Sequence, residues 1–183
     1  MAIRGIVFDI GGVLEYTPDL GVMAEWERKL ELEPGEMGAR LGDVWEGGSI
    51  GTISEADVYR AVGERLGMSE LLLNEMMDEM WREYLGTLNV ELTDYFRGLR
   101  PRFQTAILSN SFVGAREREQ AHYQFEECCD FIIYSHEVGL AKPDSRIYAL
   151  TCERLGLEPG EVVFVDDAEA NIDGARAFGM HGI

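Results

Sequence analysis

The 183-residue chain predicts an α/β fold, a parallel sheet covered by helices and interrupted by a helical insertion, and three observations support this. Short apolar, β-branched runs alternate with helix-length amphipathic stretches, which calls for right-handed crossovers and a sheet buried on both faces. The alternation lapses over residues 15–88, where no run reads as a strand. At 46% hydrophobic and 27% charged, the chain can bury a real core under a charged surface.

Taken in order, residues 3–8 (IRGIVF) read as the first buried strand, followed much later by residues 103–108 (FQTAIL), 131–134 (FIIY) and 162–165 (VVFV). Helical patterns lie between and after them, at residues 91–99, 113–124, 146–155 and 170–178. The chain reaches Ile183 barely into a fifth strand. Inside the insertion, Ser54 and Asp57 form a capping-box pattern ahead of an apolar stripe at Ala56, Val58, Tyr59, Val62 and Leu66. A second stripe runs through residues 70–85 as Leu72, Leu73, Met76, Met77, Met80, Trp81 and Tyr84, and it reads as helical core. The glycine-rich stretch 47–51 (GGSIG) follows no strand and reads as a loop. Trp26, Trp45 and Trp81 all fall in the insertion and read as its core, with Trp45 a candidate to line an entrance. Residues 1–14 and 89–183 are therefore assigned to an α/β core, and residues 15–88 to a helical cap.

Charge narrows the possible partners. The net charge is −18, with residues 15–88 contributing 17 acidic and 6 basic side chains. Such a chain lacks the basic footprint that nucleic acid requires and is repelled by anionic membrane surfaces. No apolar run reaches the roughly 18 residues of a membrane span, and the start lacks the pattern of a secretory leader. Cys128, Cys129 and Cys152 are odd in number and form no C-x-x-C pair, so they read as reduced thiols, and a cytoplasmic location is expected. His122, His136 and His181 have no metal-ligand spacing and read as structural or surface groups.

In open parallel sheets, ligands bind beyond the carboxyl ends of the strands. Each predicted strand ends in, or leads to, a polar group: Asp9 followed by Gly11 and Gly12; Ser109, Asn110 and Ser111; Lys142, Pro143 and Asp144; and Asp166 and Asp167, with Asn171 one turn later. Singly, each is an ordinary cap or surface charge. Together they suit phosphoryl transfer. Asp9 and Asp167 offer hard oxygen ligands for Mg²⁺, and Asp9 is also a possible nucleophile. Ser109 and the N–H groups after it could hold phosphate oxygens at a helix N-terminus. Lys142, one of two lysines beside 14 arginines, supplies a compact positive charge.

Residues 7–14 (VFDIGGVL), 105–111 (TAILSNS), 139–148 (GLAKPDSRIY) and 162–180 (VVFVDDAEANIDGARAFGM) resemble, in order and spacing, the four motifs of the haloacid dehalogenase (HAD) superfamily. The phrases LAKPDSRIY and FVDDAEAN are similar to the branch holding α-D-glucose-1-phosphatase and the phosphatase domain of soluble epoxide hydrolase. The resemblance implies a Rossmann-like core with an α-helical cap, and a Mg²⁺-dependent phosphohydrolase of a small phosphorylated metabolite, monomeric or homodimeric. It implies Asp9 as nucleophile and metal ligand, Gly11 as a carbonyl ligand, and Asp167 as the acidic ligand, with Asp166 or Asn171 completing the outer shell. Gly11, Gly12, Ser109, Asn110 and Lys142 become the substrate-binding candidates, and Asp9, Ser109 and Lys142 the catalytic ones.

One position departs from the pattern. Most phosphatases of the superfamily carry a second aspartate two residues after the nucleophile, where this chain has Gly11. Either the substrate has a good leaving group, or Glu15 or Tyr16 supplies the proton. A catalytically weakened binding or regulatory protein is the alternative reading. A dehalogenase, which attacks carbon without metal, fits less well because of Gly11 and the Asp166–Asp167 pair.

Overall fold

The computed structural model describes residues 2–183. In chain order the elements are β1 (Gly5–Phe8), β2 (Glu15–Tyr16), α1 (Val22–Lys29), α2 (Glu36–Ser49), α3 (Glu55–Leu66), α4 (Glu70–Leu85), β3 (Thr87–Leu88), α5 (Val90–Arg97), β4 (Gln104–Ser109), α6 (Ala115–Tyr123), β5 (Phe131–Tyr134), α7 (Ser135–Val138), α8 (Ser145–Leu155), β6 (Val162–Val165), α9 (Glu169–Phe178) and β7 (His181–Gly182). Five strands form a sheet in the order β5-β4-β1-β6-β7, and every neighbouring pair in it is parallel. No helix of the described residues is long and apolar enough to cross a membrane. The three cysteines are free and buried.

Alternation along the strands gives each face its own apolar cluster, because successive side chains point to opposite sides. Val7, Leu108, Ile133 and Phe164 turn to one face with Ile147, Tyr148 and Ala175 from α8 and α9. Phe8, Ile107, Ile132 and Tyr134 turn to the other with Phe96 of α5. There the rings of Phe8 and Phe96 stack with centroids 4.6 Å apart.

The helices α1 to α4 hold a third cluster of Trp26, Met37, Leu41, Val44, Val58, Val62, Met76 and Met77, closed by Val113 from beyond β4. Both cap signals of α3 are formed, with the Asp57 N–H donating to Ser54 Oγ at 3.2 Å and the Ser54 N–H to Asp57 Oδ2 at 3.3 Å. This helical layer is tied to the sheet by the Val113 N–H on the Gly48 carbonyl at 3.1 Å. Ser135 Oγ adds a hydrogen bond to the Ser49 carbonyl at 2.7 Å, and Arg118 an ion pair to Glu55 at 2.7 Å.

Three expectations are corrected. The segment at residues 15–88 is not free of strands: β2 and β3, two residues each, pair antiparallel at its two ends, Glu15 with Leu88 and Tyr16 with Thr87. Two residues are too few to show periodicity. Gly47 and Gly48 are not in a loop but in the last turn of α2. A Cβ at Gly48 would lie 2.3 Å from the Phe112 ring, so tight packing rather than chain reversal explains the glycine. The helix after β4 begins at Ala115, not Val113, because Phe112 and Val113 turn into the helical layer and Gly114 (φ 91°) caps the helix.

The Phe8–Phe96 stack lies under the strand that carries Asp9. Phe96→Ala is expected to lower unfolding free energy by about 3–5 kcal/mol in urea denaturation; a loss below about 1 kcal/mol would show that the stack does not anchor that face.

Candidate active site

The carboxyl ends of β1, β4 and β6 and the loop after α7 converge on one buried ammonium group. Lys142 Nζ lies 2.8 Å from Asp9 Oδ1 and 2.6 Å from Asp166 Oδ2, and its side chain is completely buried. Phe164 of β6 faces the ammonium at 5.4 Å from its ring centroid. Asp9 follows β1 directly, its N–H bound to the Val165 carbonyl at 2.9 Å, so sheet register sets its position.

The lysine is held by its backbone as well. Asn110 Nδ2 donates to the Lys142 carbonyl at 3.0 Å, and Asn110 Oδ1 accepts from the Lys142 N–H at 2.8 Å. Gly174 of α9 admits Pro143, whose Cβ would be 2.8 Å from any Cβ at that position. Asp144 then caps α8 through the Arg146 N–H at 2.9 Å.

Three carboxylates share the site. One oxygen each from Asp9, Asp166 and Asp167 lie within 4.8 Å of one another, with Asp9 and Asp166 buried and Asp167 exposed. Asp166 is almost saturated: besides Lys142 it accepts from the Ala168 N–H at 2.9 Å and from Asn171 Nδ2 at 3.0 and 3.2 Å. Gly12 (φ 70°) lets Asp167 close over the loop, since a Cβ there would lie 2.2 Å from Asp167 Oδ2. A hard-oxygen set of this kind, at the mouth of a sheet and with one member open to solvent, fits a small divalent cation that keeps waters.

Burial dominates the protonation of the acids here. It pushes the Asp9 carboxyl up to about 7, against the pull of Lys142. A second acidic group lies alongside. Burial lifts Glu15, at the start of β2, to about 9, with the nearby charge of Glu119 adding to it. Burial likewise lifts Glu119 of α6 to about 7, although the hydroxyls of Tyr134 and Tyr84 donate to it. Glu15 Oε2 is buried without a partner among the described residues, and Thr17 Oγ1 reaches Glu15 Oε1 at 3.5 Å.

The site therefore gathers Asp9, Lys142, Asp166 and Asp167, with Ser109 buried at the end of β4. Some candidates take other partners. The amide of Asn110 is spent on the Lys142 backbone, and that of Asn171 on Asp166. The Ser111 N–H, expected to face phosphate at a helix N-terminus, is taken by Ser135 Oγ at 2.8 Å, and α6 begins only at Ala115. Ser111 Oγ contacts His136 Nδ1 at 2.6 Å, giving that histidine a place beside the site. Tyr16 is 60% exposed. Thr17, Glu119, Tyr84 and Tyr134 carry no sequence signal; a buried glutamate on a charged helix resembles its exposed neighbours until the helix is packed.

A family model described as haloacid dehalogenase-like hydrolase matches residues 3–179. Bifunctional epoxide hydrolase 2 of Sus scrofa is 28% identical over 98% of the chain, which spans only 36% of that protein's length. The D-ribitol-5-phosphate phosphatase of Bacteroides thetaiotaomicron is 27% identical over 97% of the chain and 89% of the relative. A HAD family enzyme from Bacteroides thetaiotaomicron, solved with magnesium and inorganic phosphate, superposes with a TM-score of 0.83 at 22% identity, covering 98% of this chain and 92% of that one.

Because Asp9, Glu15 and Glu119 are raised, each binds its proton more tightly in the folded chain than in the unfolded one. From about pH 4 upward to these raised values the folded state holds the extra protons, so stability falls as pH rises. Without divalent cations, the protein is expected to melt at a lower temperature at pH 8 than at pH 5. Asp9→Asn should reduce that difference. Equal melting temperatures at the two pH values would contradict the burial of these acids.

Proposed function

The chain belongs to the haloacid dehalogenase-like hydrolases, and from that membership and its site we propose that it is a Mg²⁺-dependent phosphohydrolase of a small phosphate monoester. The observation that carries the reading is the Asp9–Lys142–Asp166 group with Asp167 beside it at the mouth of the sheet. The phosphatase among the relatives and the magnesium–phosphate complex of the structural neighbour support it.

In this reading Lys142 holds Asp9 Oδ1, leaving Oδ2 to attack phosphorus. The bond from phosphorus to the ester oxygen breaks, and an aspartyl phosphate forms on Asp9. Lys142 and the Ser109 hydroxyl bind the equatorial phosphoryl oxygens, where charge develops. Asp9, Asp167 and the Gly11 carbonyl would hold Mg²⁺, which supplies charge neutralisation and Lewis acidity; Asp166 stands behind them, oriented by Asn171. Water then hydrolyses the acyl phosphate, releasing inorganic phosphate and restoring Asp9.

The proton for the leaving group is the step that Gly11 leaves open. A Cβ at Gly11 would lie 3.5 Å from Thr17 Oγ1, so the threonine hydroxyl borders the space a longer side chain would use. Behind it Glu15, with its carboxyl raised to about 9, keeps a proton at neutral pH. Glu15 acting through Thr17 suits this role better than the exposed Tyr16.

With Mg²⁺, wild-type protein is expected to hydrolyse an aryl phosphate, and Asp9→Asn or EDTA to reduce turnover by about 10³-fold or more. Unchanged turnover in either would refute the mechanism, and a complete lack of hydrolysis across a broad phosphate panel would favour a binding protein. EDTA-resistant turnover of a 2-haloacid would instead point to dehalogenation. Glu15→Gln and Thr17→Val should slow alkyl phosphates by about 10²-fold or more while sparing aryl phosphates, with Tyr16→Phe neutral. Equal slowing of both substrate types would place the proton source elsewhere.

A further inference from the structure

Beside the catalytic group lies a cavity of about 510 Å³ between the helical layer and the loop that leaves β4. Asn110 and Ser111, the residues directly after Ser109, form part of its wall, so it continues from the phosphoryl site. Its apolar lining is Met23, Trp45, Met77, Met80, Trp81 and Phe112. Phe112 brings the two tryptophans together, with ring centroids 5.9 Å from Trp45 and 6.2 Å from Trp81. Aromatic faces backed by flexible methionines make an adaptable apolar surface.

Four polar side chains of the same wall are already engaged. The amide of Asn110 is bound to the Lys142 backbone through both its oxygen and its nitrogen. Ser111 Oγ pairs with His136 Nδ1, and Ser49 Oγ donates to the Glu46 carbonyl at 2.8 Å. The Tyr84 hydroxyl donates to Glu119 Oε1 at 3.3 Å. The indole N–H groups of Trp45 and Trp81 are buried and have no hydrogen-bond partner among the described residues. The wall also carries the exposed carboxylate of Glu46, in a helical segment whose 17 acidic residues face only 6 basic ones.

We propose that the substrate's leaving group is a bulky, apolar, uncharged alcohol or phenol rather than a sugar or polyol; this rests on the phosphatase reading. A hydroxyl moved from water into this cavity finds few partners beyond the two indole donors, and each group left unpaired costs about 5- to 150-fold in affinity. Each methylene buried there gains about fourfold. A second anionic group on the leaving group would meet Glu46 and the acidic helices.

The test uses 4-alkylphenyl phosphates of increasing chain length, which hold the acidity of the leaving group nearly constant, and counterparts whose side chain carries a hydroxyl on each carbon. Phosphate release is measured with Mg²⁺. For the wild-type protein, kcat/KM should rise about fourfold per methylene over the first few, while the polyhydroxylated series stays at or below phenyl phosphate. Met80→Gln, at a half-buried position and of similar length, should flatten the alkyl series. If phenyl phosphate is turned over in an Asp9-dependent manner but the alkyl series is flat, or the polyhydroxylated series is faster, the apolar assignment falls and the phosphatase reading stands. If no member is hydrolysed, both fall.

Discussion

The structure turns on a single buried ammonium. Lys142, with no exposed side-chain surface, spans the carboxylates of Asp9 and Asp166, which lie beyond neighbouring strands β1 and β6. A charge buried this deeply is tolerable only with partners at hydrogen-bonding distance, and losing one partner leaves another charge stranded. Much of the local architecture therefore serves to hold the trio. Asn110 clamps the lysine backbone, Gly174 admits Pro143, Asn171 and the Ala168 N–H fix Asp166, and Gly12 gives Asp167 its room.

Even so, the lysine does not balance the site. Three carboxylates converge on it, and Glu15 and Glu119 are buried nearby. Burial raises Asp9 in spite of Lys142 and Glu119 in spite of Arg116, because removing a carboxylate from water outweighs one nearby cation, and it raises Glu15 as well. A divalent cation would change the local sign of the field and free Asp9 to act as a carboxylate at neutral pH. The net charge of −18 is thus compatible with an anionic substrate, since what that substrate meets is decided by Lys142 and the cation rather than by the whole surface.

In the proposed reading, chemistry and selection are divided between the two parts of the molecule. The sheet edge presents hard oxygens and an ammonium, whereas the helical layer turns methionine and aromatic side chains toward the same space. Both ends of the helical segment enter through the short β2–β3 pair, and Gly48, Ser49 and Glu55 bind it to residues beside the site. Residues following Ser109 thus serve both parts: Asn110 positions the lysine, and Phe112 packs between Trp45 and Trp81.

The periodicity of the strands, the capping pattern at Ser54 and the four polar strand ends were legible in the chain, because these depend on local spacing and on the rule that parallel sheets bind at their carboxyl ends. From these the α/β class, the helical insertion and Asp9, Ser109, Lys142, Asp166 and Asp167 follow. Local spacing does not say which side chain faces which. It missed β2 and β3, whose pairing joins residues 15 and 88, and it read Gly47 and Gly48 as loop when both lie in the last turn of α2, Gly48 packed against Phe112 and Gly47 against Ile53. Only the tertiary structure decided that Asn110 serves the lysine backbone, that Thr17 borders the space at Gly11, that Glu15 and Glu119 are buried acids, and that Trp81 lines a cavity as well as a core. The physical reason is that burial and hydrogen-bond partnership depend on residues far apart in the chain, and these set the protonation and polarity of the site.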